Sequence, residues 1–189
     1  MIRLGPTTMV LLCVLSGCMP KMDVESLKQM QPTRPAELEQ LAPFIGKWEG
    51  TGEIKIAMLE QPLTAKGMTQ TSWDCDGWCM LEQDEYELGE LGNIKELRVW
   101  TWDERAKRFH IHGADSAGGI GAGTVTFDEK SASWRFKWLR RTPLGDIRSR
   151  GKMKMTNEDT IDWTWEDWPA WDVIGLFKVA HMQGTNRRR

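Results

Sequence analysis

This chain lacks a long apolar run. Its best candidate, from Thr7 to Leu15, is about half the roughly 20 residues that a helix needs to span a bilayer. A permanent transmembrane helix is therefore not expected. Concentrated positive charge is also missing. The formal net charge is −2, and the one dense basic run is Arg187-Arg188-Arg189. No nucleic-acid partner is expected. Histidine is scarce, at three residues, and cysteine numbers four with no Cys-x-x-Cys pair. The usual redox motif is absent, and no further soft ligands stand at zinc-site spacing. Ser72, Ser116 and Ser133 carry no elbow motif and no neighbouring histidine signature for nucleophilic catalysis. The glycine-rich stretch Gly118-Gly119-Ile120-Gly121-Ala122-Gly123 has no strand–loop–helix context for phosphate. It suits a tight turn and sharply bent, closely spaced strands. The chain is therefore expected not to be an enzyme, and no cofactor is predicted.

What is present begins at the N-terminus. Met1-Ile2-Arg3 gives one positive charge, an apolar stretch follows, and small residues precede Cys18. This is the layout of a secretory signal peptide. Leu15-Ser16-Gly17-Cys18 resembles the bacterial lipobox. The resemblance implies that residues 1–17 are removed and that the Cys18 thiol and the new amine are acylated. Each buried methylene of such a lipid contributes about 0.8 kcal/mol, and two or more chains anchor stably where one is marginal. Met19 stands where retention in the inner membrane of enteric bacteria wants Asp, which tilts the expected location to the outer membrane, facing the periplasm. Residues 18–34 contain Pro20 and Pro32, show no clear period, and read as a tether.

Residues 35–189 read as one domain. Leu38, Leu41 and Ala42 recur at helical spacing after Pro35, and Pro43 is expected to end this short helix. From Gly46 the period changes to two. Ten candidate strands follow, the last placed at 173–182, separated by turn signals such as Asp76-Gly77, Gly92-Asn93 and Pro143-Leu144-Gly145-Asp146. Trp134, Phe136 and Trp138 alternate with Arg135 and Lys137, while Ile161, Trp163 and Trp165 alternate with Asp162, Thr164 and Glu166. That pattern belongs to antiparallel strands with one wet face. The fold class is all-β: a single antiparallel up-and-down barrel of about ten strands, which closes to remove its edges. Charged residues on the presumed outer face suit a barrel that stands off the membrane on its tether. Cys75 and Cys79 flank an Asp-Gly turn signal, and outside the cytosol such a pair tends to oxidise. A three-residue loop would set them opposite each other for a disulfide, whereas a two-residue loop would stagger them.

Gly46-Lys47-Trp48 at the start of the first strand resembles the Gly-x-Trp opening of lipocalins and the wider calycin group. In that group an arginine from the end of the barrel packs over this tryptophan. The resemblance implies that Arg187 or Arg188 stacks on Trp48. The segments Phe44 to Gly50, Trp100 to Asp103, Asp115 to Gly118, Asp162 to Trp165 and Gly184 to Arg188 resemble a lipocalin-like bacterial family of unknown function. The Gly46-x-Trp48-x-Gly50-x-Gly52 spacing is also similar to nitrobindin-like barrels, which hold haem through a late histidine; His181 is the residue here that would do so.

Tryptophan is the unusual abundance: 11, against one tyrosine and five phenylalanines. Trp134, Trp138, Trp163 and Trp165 either plug the interior or line an apolar ligand pocket. Trp168 and Trp171, around Pro169, are placed in a loop as a lid or a contact surface. His110 and His112 share a strand face and could begin a metal site; as surface residues they need no partner. Glu82-Gln83-Asp84-Glu85 alternates as a solvated face would. The leading expectation is a non-catalytic, membrane-anchored envelope lipoprotein that binds a small apolar ligand. A filled structural or interaction module is the alternative, and a haem or metal binder comes third.

Overall fold

The structure, a computed structural model, describes residues 23–189. The sequence features at Arg3, Leu15-Ser16-Gly17-Cys18 and Met19 lie outside the described residues. The chain divides into two units, the second being Arg34–Arg189. Of the first unit, residues 23–33 are described, and they hold one short helix, α1 (Val24–Gln29). The tether reading anticipated no regular structure there. Asp23 supplies it by accepting the Ser26 N–H at 2.7 Å, an N-terminal cap, with Glu25 in the first turn and Lys28 in the last.

In the second unit a 3-10 segment, Ala36–Phe44, leads into ten strands: β1 Gly46–Ile56, β2 Leu63–Asp74, β3 Cys79–Glu87, β4 Asn93–Asp103, β5 Arg108–Asp115, β6 Ile120–Asp128, β7 Ser133–Thr142, β8 Gly145–Asn157, β9 Thr160–Pro169 and β10 Ala180–Arg188. Each strand pairs antiparallel with the next, and β10 pairs with β1, so the sheet is a closed barrel. The 3-10 segment runs one residue past Pro43. Proline removes one donor, and the Ile45 N–H still closes the last turn on the Ala42 carbonyl at 3.1 Å. Leu38, Leu41 and Phe44 are buried from this segment and pack with Trp48, Met80, Phe109, Val125, Trp134 and Ile161. One end of the barrel is thereby plugged.

The last strand lies well past its expected place at 173–182. Residues 170–179 are instead a loop organised by Asp172, whose carboxylate accepts the N–H groups of Gly175 (2.9 Å) and Phe177 (2.7 Å). Trp168 is not in that loop. It ends β9 and is buried, with Arg150 and Lys178 at 5.7 and 5.8 Å from its ring. Trp171 is in the loop, 70% exposed, against Phe177.

The late start of β10 brings Arg188 opposite Trp48 in the register. Its guanidinium lies 4.3 Å from the centre of the indole ring. It also donates to the carbonyls of Ile45 and Pro43, each at 2.8 Å, while Trp48 Nε1 donates to the Phe44 carbonyl at 2.8 Å. Three consecutive carbonyls at the end of the 3-10 segment, which no further turn could satisfy, are thus bonded by the first and last strands. Arg187 is one position out of phase and exposed. Of the two arginines proposed to cover Trp48, Arg188 alone does so. We predict that Arg188→Ala lowers unfolding free energy by about 2–3 kcal/mol, from the lost cation–π contact and two charge-assisted bonds. Arg187→Ala should stay within about 0.5 kcal/mol of the parent. Urea denaturation measures both, and equal effects would contradict this assignment.

Candidate functional site

On the far side of the plug the barrel interior holds a cavity of about 280 Å³. Trp100, Trp138, Trp163 and Trp165 line it, and each of the last three stands directly across the ladder from a glycine: Trp138 from Gly123, Trp163 from Gly184, and Trp165 from Gly151. The rings lie flat on these glycines and on Gly121, Gly113 and Gly52 beside them. A Cβ at Gly121, Gly151 or Gly184 would collide with the indole it supports. Glycine here serves close approach of a ring to the backbone. With the rings held against the wall, the centre stays open. The two readings of the tryptophans therefore divide by residue. Trp138, Trp163 and Trp165 line the cavity. Trp134 belongs to the plug, packed edge-on to Phe44 and tilted against Phe109. The glycine-rich stretch after Asp115 proves to be the bed for Trp138.

The opposite wall is polar, and sequence reasoning misplaced it. Glu82 and Asp84 point inward, with side chains 13% and 0% exposed, and not into solvent. Alternation along β3 is the same whichever face is wet, so it could not decide the direction. The signal lay in β4, where Arg98 pairs with Glu82 in the register and Glu96 pairs with Asp84. Arg98 holds three carboxylates: Asp84 at 2.6 Å, Glu96 at 3.1 Å and Glu82 at 3.3 Å. Thr69 donates to Asp84, and Trp100 Nε1 donates to Glu82 at 2.6 Å. Further round the barrel, Arg140 pairs with Asp115 at 2.5 Å, and Asp115 also accepts the N–H groups of Ala117 and Gly119. Asp167 lines the cavity two residues after Trp165. Its Oδ1 and the Nε atoms of Arg98 and Arg140 are buried without a hydrogen-bond partner.

Burial pushes the Glu82 carboxyl up to about 7; the Arg98 charge pulls it back, and Asp84 pushes it further. Burial likewise raises Asp167, against Ser149 and Arg140. Burial raises Tyr86 well above its ordinary value, with Asp84 adding to the effect. For Arg98 burial opposes the charge, but Asp84, Glu82 and Glu96 outweigh it and hold the guanidinium firmly protonated.

The other sequence candidates lie elsewhere. His110 and His112 share the outer face of β5, their rings nearly parallel at 6.5 Å, with His110 Nε2 3.4 Å from Asp103. Among the described residues no group of three or more His, Cys, Asp or Glu is arranged to hold a metal ion. On β10 it is Met182 that faces the cavity; His181 sits beside Glu166 at 3.6 Å, and no histidine lines the cavity. A haem held from His181 has no ligand there. Cys75 and Cys79 are free thiols, not a disulfide. The register pairs Cys79 with Asp74, so the turn is the four residues Cys75 to Trp78, and Cys75 falls inside it. Cys75, Asp76 and Gly77 all take positive φ to make that turn. Burial, reinforced by the neighbouring Cys75, pushes the Cys79 thiol up to about 11.

Fold and site together define a closed ten-stranded antiparallel barrel with a half-filled interior. Rv2717c from M. tuberculosis is similar in fold, with a TM-score of 0.62 at 12% identity over 83% of this chain and 99% of that one. Two other solved structures align less well. The redesigned β barrel mFAP1, bound to DFHBI, has a TM-score of 0.34 at 16% identity, over 82% of this chain and 100% of that chain. A protein of unknown function from the DUF3598 family of Nostoc punctiforme has a TM-score of 0.21 at 6% identity, over 84% of this chain and 100% of its own. No protein-family model matches the chain, and no curated protein matches it.

The Glu82 environment makes stability depend on pH. Its folded value lies above its ordinary 4.5, so the folded state binds the proton more tightly. Stability is then fully present below about 4.5 and falls as pH rises through about 7. The loss should reach up to about 3 kcal/mol. Glu82→Gln keeps an acceptor for Trp100 and should remove most of the decline between pH 5 and 8 in urea titrations. An unchanged decline in the variant would refute the assignment.

Proposed function

We propose that this protein is a lipid-anchored lipoprotein of the bacterial envelope whose barrel binds a small ligand with an apolar body, without catalysing a reaction. The observation that carries the reading is the cavity walled by Trp138, Trp163 and Trp165. Its volume lies just under the roughly 300–1,000 Å³ usual for ligand pockets, and pockets of that kind combine apolar walls with a few placed polar groups. Leu15-Ser16-Gly17-Cys18 supports the anchor, with the lipid on Cys18, and Met19 supports the outer membrane as its site. A second reading, as an interaction module, draws on the β9–β10 loop, where Trp171, Val173, Ile174, Leu176 and Phe177 are all exposed.

Titration with 2-naphthylmethanol should quench the tryptophan emission saturably, because four of the indoles line the cavity. Ala65→Phe, which places a ring at an inward cavity position, should abolish that quenching while circular dichroism keeps its β signature. A native protein that shows no saturable quenching would remove the ligand-binding reading. For the anchor, Cys18→Ser should leave the fold intact and move the protein from the membrane fraction to the soluble one. A variant that still sediments with membranes would overturn the anchor.

A further inference from the structure

Resting on the ligand-binding reading above, we propose that the ligand is a small organic cation: a flat apolar body that carries an ammonium-type head. The charge of the barrel interior points this way. Five carboxyl groups face inward: Glu82, Asp84, Glu96, Asp115 and Asp167. Against them stand two guanidiniums, Arg98 and Arg140. Lys66 and Lys152 border the cavity, but from outward positions of their strands, and both are exposed.

Both guanidiniums already carry carboxylate partners through their terminal nitrogens, and only the Nε–H of each is left unpaired. Arg98 is divided among three carboxylates, and Arg140 is engaged by Asp115 with Asp167 close enough to feel its charge. A ligand carboxylate or phosphate would bring a further negative charge into an enclosed space that already holds an excess, where attraction and repulsion are poorly screened. A neutral apolar ligand would leave Asp167 Oδ1 as it stands, buried and without a donor.

A cation meets both demands. Alternation along β9 sets Trp163, Trp165 and Asp167 in one row on the inner face. A head placed at the end of that row donates to Asp167, beside the Trp165 indole. The body then lies over Trp163 and Trp138. Burial is the main cause of the upward displacement of the Glu82 and Asp167 carboxyls, and neighbouring carboxylates add to it.

Three probes of one shape separate the outcomes: 2-naphthylmethylammonium, 2-naphthylmethanol and 2-naphthoate, titrated calorimetrically into the full chain at pH 8. The ammonium should bind at least about tenfold tighter than the alcohol, and the carboxylate should show no binding. Asp167→Asn, checked by circular dichroism, should weaken the ammonium about tenfold and change the alcohol by less than about twofold. Alcohol binding as tight as the ammonium's would overturn the cation proposal and leave the ligand-binding reading standing. So would an ammonium preference undiminished in Asp167→Asn. If none of the three binds, both readings fall together.

Discussion

Ten strands that close on themselves enclose a wider lumen than eight, and eight is already the number whose interior ordinary side chains just fill. The width has to be managed at each level. At one end the 3-10 segment supplies Leu38, Leu41 and Phe44 as a stopper, and Arg188 fixes that segment to the first and last strands. In the other half the widest side chains available are spread along the wall on glycines, which stabilises the wall without filling the centre. The polar network of Arg98, Glu82, Asp84 and Glu96 occupies the remaining arc. Plug, aromatic wall and charged wall are three ways of meeting one geometric demand.

Much of the architecture could be read from the sequence because its signals are local. Alternation at period two sets strands, and turn residues separate them, so the ten-strand closed barrel follows from pattern alone. The Trp48–Arg188 contact was legible through resemblance, and the register then chose between Arg188 and Arg187. The last strand was misplaced because Val173 to Phe177 has strand-like composition, yet Asp172 caps the backbone into a loop. That competition between a side-chain acceptor and the ladder leaves little trace in hydropathy.

The site was half legible. Trp138, Trp163 and Trp165 were named, but whether they filled or lined the interior depended on what stood across the ladder from each. Gly123, Gly184 and Gly151 decide this, and pairing register is a long-range property. Glu82 and Asp84 were read outward because charge is usually solvated. What makes burial tolerable is Arg98, on the neighbouring strand and fourteen positions from Asp84. The cysteine pair failed for a related reason: a four-residue turn and a three-residue turn look alike in sequence, but only the latter sets its flanking residues face to face.

The joint between β1 and β10 also has a consequence in time. Arg188 reaches back to Ile45 and Pro43 across 143 and 145 positions. As the polypeptide is made, nine strands can emerge and pair as a curved, unclosed sheet with both borders bare. The seam cannot be sewn, nor the stopper tied in place, until β10 has been made. Contacts of such sequence separation also make folding slow, since the entropy of a nearly full-length loop is lost before the contact forms. Completion of β10 is thus the event that turns an open sheet into a container.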